Sequence, residues 1–264
     1  MKELMLTALT VCLLQASVAL ADGCNNQTLN GTVAEAWHKT QAQLPGSDIY
    51  MESWDGAGHI QYLSDDHISG QQSSGLFYGT GTYTITSDCI ATVVYDGGTH
   101  AWKYYVDKDG HGYTWIDGFN RGIVQAGHTE LMTRALLVDP TSAAPGPCTL
   151  ETLRGTMVLS DVGTSNGVPV AIAKVEVYDG AGNATYVQTA SDGFTTNTHN
   201  GTATYTITDR CVASVYQDGS ASPSVIFVAP DGSAYWAMSG QNGNSVGAVL
   251  AAKALRVSRG HQGD

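Results

Sequence analysis

Positive charge is what this chain has least of. Twelve lysines and arginines stand against twenty-four aspartates and glutamates in 264 residues, a net charge of −12. No basic stripe gathers the few cations, so nucleic acid and anionic membrane are poor partners on electrostatic grounds. Charged residues of both signs reach only 14%, whereas there are 31 glycines, a balance that suits turn-rich β structure better than helical bundles. No Cys-x-x-Cys pair is present, which argues against a thiolate metal site. No apolar run reaches the roughly 20 residues that a bilayer crossing needs. The one apolar stretch, Leu4–Leu14, follows Lys2 and precedes a small-x-small site at Ala19–Ala21. That is the layout of an export signal over 1–21, with the mature chain starting at Asp22. The expected location is secreted, either extracellular or periplasmic, with no membrane association after signal cleavage.

What is there is one module written twice. Residues 79–89 read GTGTYTITSDC and residues 201–211 read GTATYTITDRC. Trp54–Gly58 is echoed by Tyr178–Gly182, and Asp109–Gly110 by Asp231–Gly232. The register is 124 residues early and 122 later, so copy two has lost two residues in a loop. The expected organisation is a first module over 22–139, a Pro/Ala-rich linker over 140–147, a second module over 148–258 and a frayed tail over 259–264. Export also removes Cys12. Cys24 and Cys148 each precede the first strand of their copy, and Cys89 and Cys211 each close the Tyr-Thr-Ile-Thr strand. The repeat therefore selects Cys24–Cys89 and Cys148–Cys211 from the three possible pairings.

Asp-Gly pairs such as Asp55–Gly56, Asp96–Gly97 and Asp218–Gly219 punctuate short runs rich in Val, Ile, Thr, Tyr and Trp. They mark tight hairpins between strands. Copy one reads as strands near 32–39, 47–54, 59–67, 81–88, 90–95, 102–107, 112–117 and 123–134, and copy two repeats the series. The expectation is an all-β chain of two tandem antiparallel eight-stranded up-and-down barrels, with two β-sandwiches as the alternative. Two segments pull the other way: Thr32–Glu35 has the form of a helix capping box, and 247–256 is alanine-rich. The repeat keeps both as strands. Alternation puts Ala173, Val175 and Val177 on one face, taken as the core face, and Lys174, Glu176 and Tyr178 on the other. By register Tyr50, Glu52 and Trp54 then face outward, while Tyr83, Ile85, Tyr205 and Ile207 face inward.

The glycine-led strand Gly81–Cys89 (GTYTITSDC), followed by a hydrophobic strand and Asp-Gly hairpins, is similar to calycin-type barrels. It most resembles the allene oxide cyclase-like subgroup of secreted bacterial and fungal proteins. The resemblance implies a barrel used as a ligand binder or as a cofactor-free cyclase. The Gly-x-Trp of lipocalin first strands is absent, since Gly31 is followed by Thr32 and Val33, so no catalytic residue is carried over.

The copies differ in one respect. His38, His59, His67, His100, His111 and His128, with Trp37, Trp54, Trp102 and Trp115, all lie in copy one; copy two has only His199 and Trp236, with His261 in the tail. A binding function kept in the first barrel would leave this imbalance, as would a bulkier core. Tyr62, Tyr83, Tyr104 and Trp115 are the candidate lining of a cavity there. His128 and Glu130, two apart on the last strand, would form an acid–base pair if they pointed inside, and otherwise a polar outer face. His59 or His67 would have to join them to make a metal site, and nothing fixes that approach, so no metal and no cofactor is expected. Gly243–Gly247 matches the Gly-x-Ser-x-Gly elbow but lies in an all-β repeat, where that motif has no strand-to-helix turn. Asp107–Gly110 is faintly like a calcium loop and is better read as a β-turn. Asn26, Asn30, Asn183 and Asn200 head glycosylation sequons that matter only in a host that glycosylates. Two functions are carried forward. One is a secreted protein that binds a small apolar ligand or an extracellular partner without catalysis. The other is a cofactor-independent cyclase or isomerase working by positioning in the first cavity.

Overall fold

The structure is a computed structural model that describes residues 23–41, 44–68, 75–117, 123–139, 146–165, 168–221, 223–238 and 248–259. The expected export signal at 1–21, most of the linker, Gly243–Gly247 and nearly all of the tail lie outside the described residues.

The first module runs β1 (Asn30–Gln41), β2 (Leu44–Asp55), β3 (His59–Ile68), β4 (Phe77–Ile85), β5 (Ile90–Tyr95), β6 (Trp102–Val106), β7 (Tyr113–Asp117), β8 (Ile123–His128) and β9 (Glu130–Thr133). Each strand pairs antiparallel with the next through β8, and β1 pairs with both β2 and the last strand, which closes the sheet. Segments β8 and β9 are two halves of one strand. Thr129 interrupts it: its amide donates to the Tyr113 carbonyl at 3.0 Å, and its hydroxyl accepts from the Tyr113 amide at 3.0 Å. The result is a closed eight-stranded barrel, not a sandwich. The second module repeats it with β10 (Gly155–Ser165), β11 (Val168–Tyr178), β12 (Asn183–Ser191), β13 (Thr196–Ile207), β14 (Val212–Gln217), β15 (Ser224–Val228), β16 (Ala234–Met238), β17 (Ala248–Val249) and β18 (Ala251–Ser258), its last strand split at Leu250.

The capping-box segment is strand because β1 finds a twelve-residue ladder on β2, from Asn30 opposite Asp55 to Gln41 opposite Leu44. Gly31–Glu35 is buried on both faces, and burial alternates with a period of two only beyond it, from Ala36 to Thr40. Two of the Asp-Gly hairpins take the expected geometry: Asp96 and Gly97 have φ of 50° and 66°, and Asp218 and Gly219 have 50° and 72°, whereas at Asp55–Gly56 only the glycine has a positive φ. Consecutive positive φ defines a type I′ turn, which matches the twist of the flanking strands.

Each barrel is plugged at one end. Cys24–Cys89 and Cys148–Cys211 are both formed, with Cα atoms 4.9 and 5.1 Å apart. Beside them lie short 3₁₀ turns, Asn26–Thr28 and Leu150–Leu153. Tyr83 locks the first plug by donating to the carbonyls of Asn26 and Leu29 at 3.1 and 3.2 Å, and Tyr205 repeats the bond to Leu150 at 3.0 Å. Leu29, Trp54, Ile60, Tyr83, Ala91, Val93 and Tyr113 fill this end solidly.

Alternation had placed the wrong face inside. Glu52 and Glu176 are buried in the barrel interiors, whereas Val175 and Val177 are 43% and 48% exposed. The polar face goes inside because aromatic neighbours on that face hydrogen-bond the carboxylates, so their burial is compensated. Tyr83 and Tyr205 face inward as expected, and Ile85 and Ile207 are half-buried alongside.

The barrels dock through the outer faces of β1 and β2. Ile49 and Met51 pack into the second module's hydrophobic cluster, and Ala34 packs against Ala229, Ala234 and Trp236. The connecting segment lies on this seam: the amides of Leu137 and Val138 donate to the hydroxyls of Thr32 and Ser53 at 2.9 and 2.8 Å. Glu130 pairs with Lys253 and His38 with Asp161 across it.

Candidate functional site

The unplugged half of the first barrel holds a cavity of about 160 Å³. Six aromatic rings surround it, from six strands, and each touches the next. Trp37 and Tyr50 have centroids 4.9 Å apart, Tyr50 and Tyr62 5.7 Å, Tyr62 and Tyr95 5.2 Å, Tyr95 and Trp102 6.4 Å, Trp102 and Trp115 6.3 Å, and Trp115 and Trp37 5.0 Å. These are the spacings of favourable aromatic pairs. The belt closes because β4 and β8 pass it as glycine. A Cβ on Gly79 would fall 2.3 Å from the Tyr62 ring, and one on Gly127 would fall 2.5 Å from Glu35 and 2.8 Å from the Trp115 indole nitrogen. Glycine there lets Tyr62 lie across β4 and lets Glu35 meet Trp115 across β8.

Two carboxylates, a seventh ring, Tyr104, and Gln125 complete the lining. Glu52 accepts hydrogen bonds from Tyr113, from Tyr95 at 2.6 Å and from the Trp54 indole at 3.1 Å. Burial raises its pKa above the usual carboxylate range, and those three donors oppose the rise. Glu35 is less well served. Among the described residues its one donor is the Trp115 indole N–H, 2.9 Å from each oxygen. Burial holds its pKa well above the ordinary value, the Trp115 bond counteracts this in part, and the nearby Glu52 and Asp48 add to the rise. Tyr95 and Tyr104 share a 2.9 Å hydrogen bond, and Trp37 donates to Gln125 at 3.2 Å. Tyr62 donates to Asp96 of the β5 turn at 2.5 Å, which fixes its ring in the belt.

Of the residues singled out from sequence, Tyr62, Tyr104 and Trp115 line this cavity. Tyr83 does not; it is spent on the plug, where burial pushes its pKa up to about 12. His128 and Glu130 do share a face, but it is the outer one. His128 is exposed beside Thr114 at 3.1 Å, and Glu130 sits at the seam with Lys253. The other histidines do not converge either. His59 and His111 pair with Asp55 and Asp109, His100 sits against Trp102, and His67 is buried opposite Ser47 in the β2–β3 ladder. Among the described residues no group of three His, Cys, Asp or Glu could hold a metal. Asn183 and Asn200 are exposed, while Asn26 and Asn30 are half-buried.

No family model and no curated protein matches this chain.

Glu35, Glu52, Trp37, Tyr50, Tyr95 and Trp102 were missed from sequence. The signal for some of them was legible: Tyr50, Glu52 and Trp54 alternate on one face of β2, and Lys174, Glu176 and Tyr178 repeat the spacing. A glutamate kept at one register in both copies, flanked by aromatics, points to a structured polar interior. In the second barrel Glu176 accepts from Tyr235 and from Tyr178 at 3.1 Å, and pairs with Lys174 at 2.5 Å. Its cavity, about 270 Å³, has lost the belt. The ladder registers of the two modules coincide, so Trp37, Tyr50, Tyr95, Trp102 and Trp115 correspond to Asp161, Lys174, Gln217, Ser224 and Ala237, and only Tyr62 keeps its ring, as Tyr186.

Proposed function

We propose that this chain is an exported two-barrel protein that binds one small ligand in the first barrel, without catalysis. The observation that carries the reading is the closed aromatic belt around a cavity of about 160 Å³. An apolar cavity near that size holds one benzene-sized molecule. Pockets for drug-sized ligands run from about 300 Å³ upward, so the ligand is compact. Buried rings give it a large contact area with little freedom left to lose. Export fits the leader at 1–21 and the two cystines, which persist in oxidising compartments. The resemblance of the Gly81–Cys89 strand to calycin-type barrels, as ligand binders, points the same way. The cyclase reading loses its acid–base pair, because His128 and Glu130 face away from the cavity.

Native mass spectrometry of the protein taken from its own host tests this. The expected spectrum shows a chain starting at Asp22 with a small added mass that is lost on denaturation. The added mass should be absent from Trp102→Ala, which opens the belt at a half-buried ring. A bare mass for the unaltered protein would overturn the reading.

A further inference from the structure

We infer that the ligand of the first barrel is a small organic cation, of the quaternary or tertiary ammonium class. The inference rests on the binding site proposed above and names its chemistry. The ring faces of the belt carry negative potential, and a cation within about 6 Å of such a face is attracted to it, most strongly where water is excluded. Six rings line one space, and each face turned toward it adds to that attraction. A neutral apolar ligand would be served as well by leucine and valine, and this cavity has neither in its lining.

The charges favour the same occupant. Two glutamates line the cavity, and no lysine or arginine is among its described lining residues. The nearest cation along β1 is Lys39, whose ammonium is already held by Asp48 at 2.9 Å and Asp66 at 2.7 Å. Glu35 is 4% exposed, and among the described residues its two oxygens share a single N–H, from Trp115. A carboxylate offers about four acceptor positions, so Glu35 has capacity to spare toward the cavity. A buried acid without a counter-charge is costly. Both buried acids are held above their usual pKa by desolvation, and a bound cation supplies the missing charge. The net charge of −12 draws cations toward the molecule from a distance. The second barrel makes the contrast. There Lys174 places its own ammonium 2.5 Å from Glu176 and 4.5 Å from the centre of the Tyr186 ring. A built-in cation occupies in copy two the position that copy one leaves to Tyr50.

Choline and its neutral carbon counterpart, 3,3-dimethylbutan-1-ol, differ in charge and hardly in shape. Titration of the full mature chain with each, read by tryptophan emission and by calorimetry, decides between charge and shape. Choline is expected to bind at least about tenfold more tightly, and Glu35→Gln to remove most of that preference. Should the alcohol bind as well as choline or better, the cation assignment falls and the binding site stands. Should neither bind, the binding site falls with it. The comparison on the unaltered protein is decisive by itself, so it does not depend on how the variant folds.

Discussion

At the residue scale, the two interior glutamates of the first barrel are held in opposite ways, and their substitutions should part accordingly. Glu35 has one donor and a pKa raised well above the ordinary value by burial. Its folded-state pKa lies above that of the unfolded chain, about 4.3. Between those two values the unfolded chain gives up a proton that the folded chain keeps, so stability falls as pH rises through that window. Glutamine cannot ionise. Glu35→Gln should therefore match the parent near pH 4 and gain on it steadily above, as read by melting temperature across a pH series. Glu52 has three donors converging on its oxygens. Glu52→Gln turns an NH₂ toward hydroxyls that donate, and should cost about 1–3 kcal/mol at neutral pH in denaturant unfolding. The sequence showed where these side chains alternate but not which way they point. Alternation gives two faces, and hydrophobicity chooses between them only when the interior is apolar. Here tyrosine and glutamate fill the interior and valine covers the outside, as at Val175 and Val177.

At the scale of elements, the sequence was far more readable. Strand formers between Asp-Gly turns gave all sixteen expected strands, since turn chemistry is local and the second copy checks the first. What escaped was the split of each last strand at Thr129 and Leu250, and the register shift that each last strand shows further on, opposite Thr32–Val33 and Thr156–Met157, because a bulge is set by pairing across strands. The cystines were legible by the same duplication. Each joins a plug to the end of the Tyr-Thr-Ile-Thr strand and spans 65 or 63 residues. Replacing Cys24 and Cys89 together by alanine should cost on the order of 4 kcal/mol in the chain-entropy account. Denaturant unfolding should show the loss as a lower midpoint.

At the scale of the whole molecule, the seam between barrels was invisible in sequence. Strand β2 is buried on both faces, by the cavity and plug on one side and the second barrel on the other, so its pattern carries no direction. The seam also explains a residue that the aromatic imbalance left over. Trp236 occupies the register position of the exposed Thr114, and it packs on Ala34 of the first barrel. Trp236→Ala should cost about 3–5 kcal/mol, a large core truncation. Because that surface couples the two barrels, calorimetry should resolve their melting into two steps where the parent gives one.

The coincidence of the two ladders leads to one last point. The rear barrel is a blank cut to the same pattern as the front one. Six exchanges, Asp161→Trp, Lys174→Tyr, Gln217→Tyr, Ser224→Trp, Ala237→Trp and, opposite the last, Ala252→Gly, would redraw the ring of the front chamber on a frame that already holds Tyr186 and Glu176. Duplication has thus left inside one polypeptide both a finished receptacle and the unworked stock from which a second, with a different taste, could be carved.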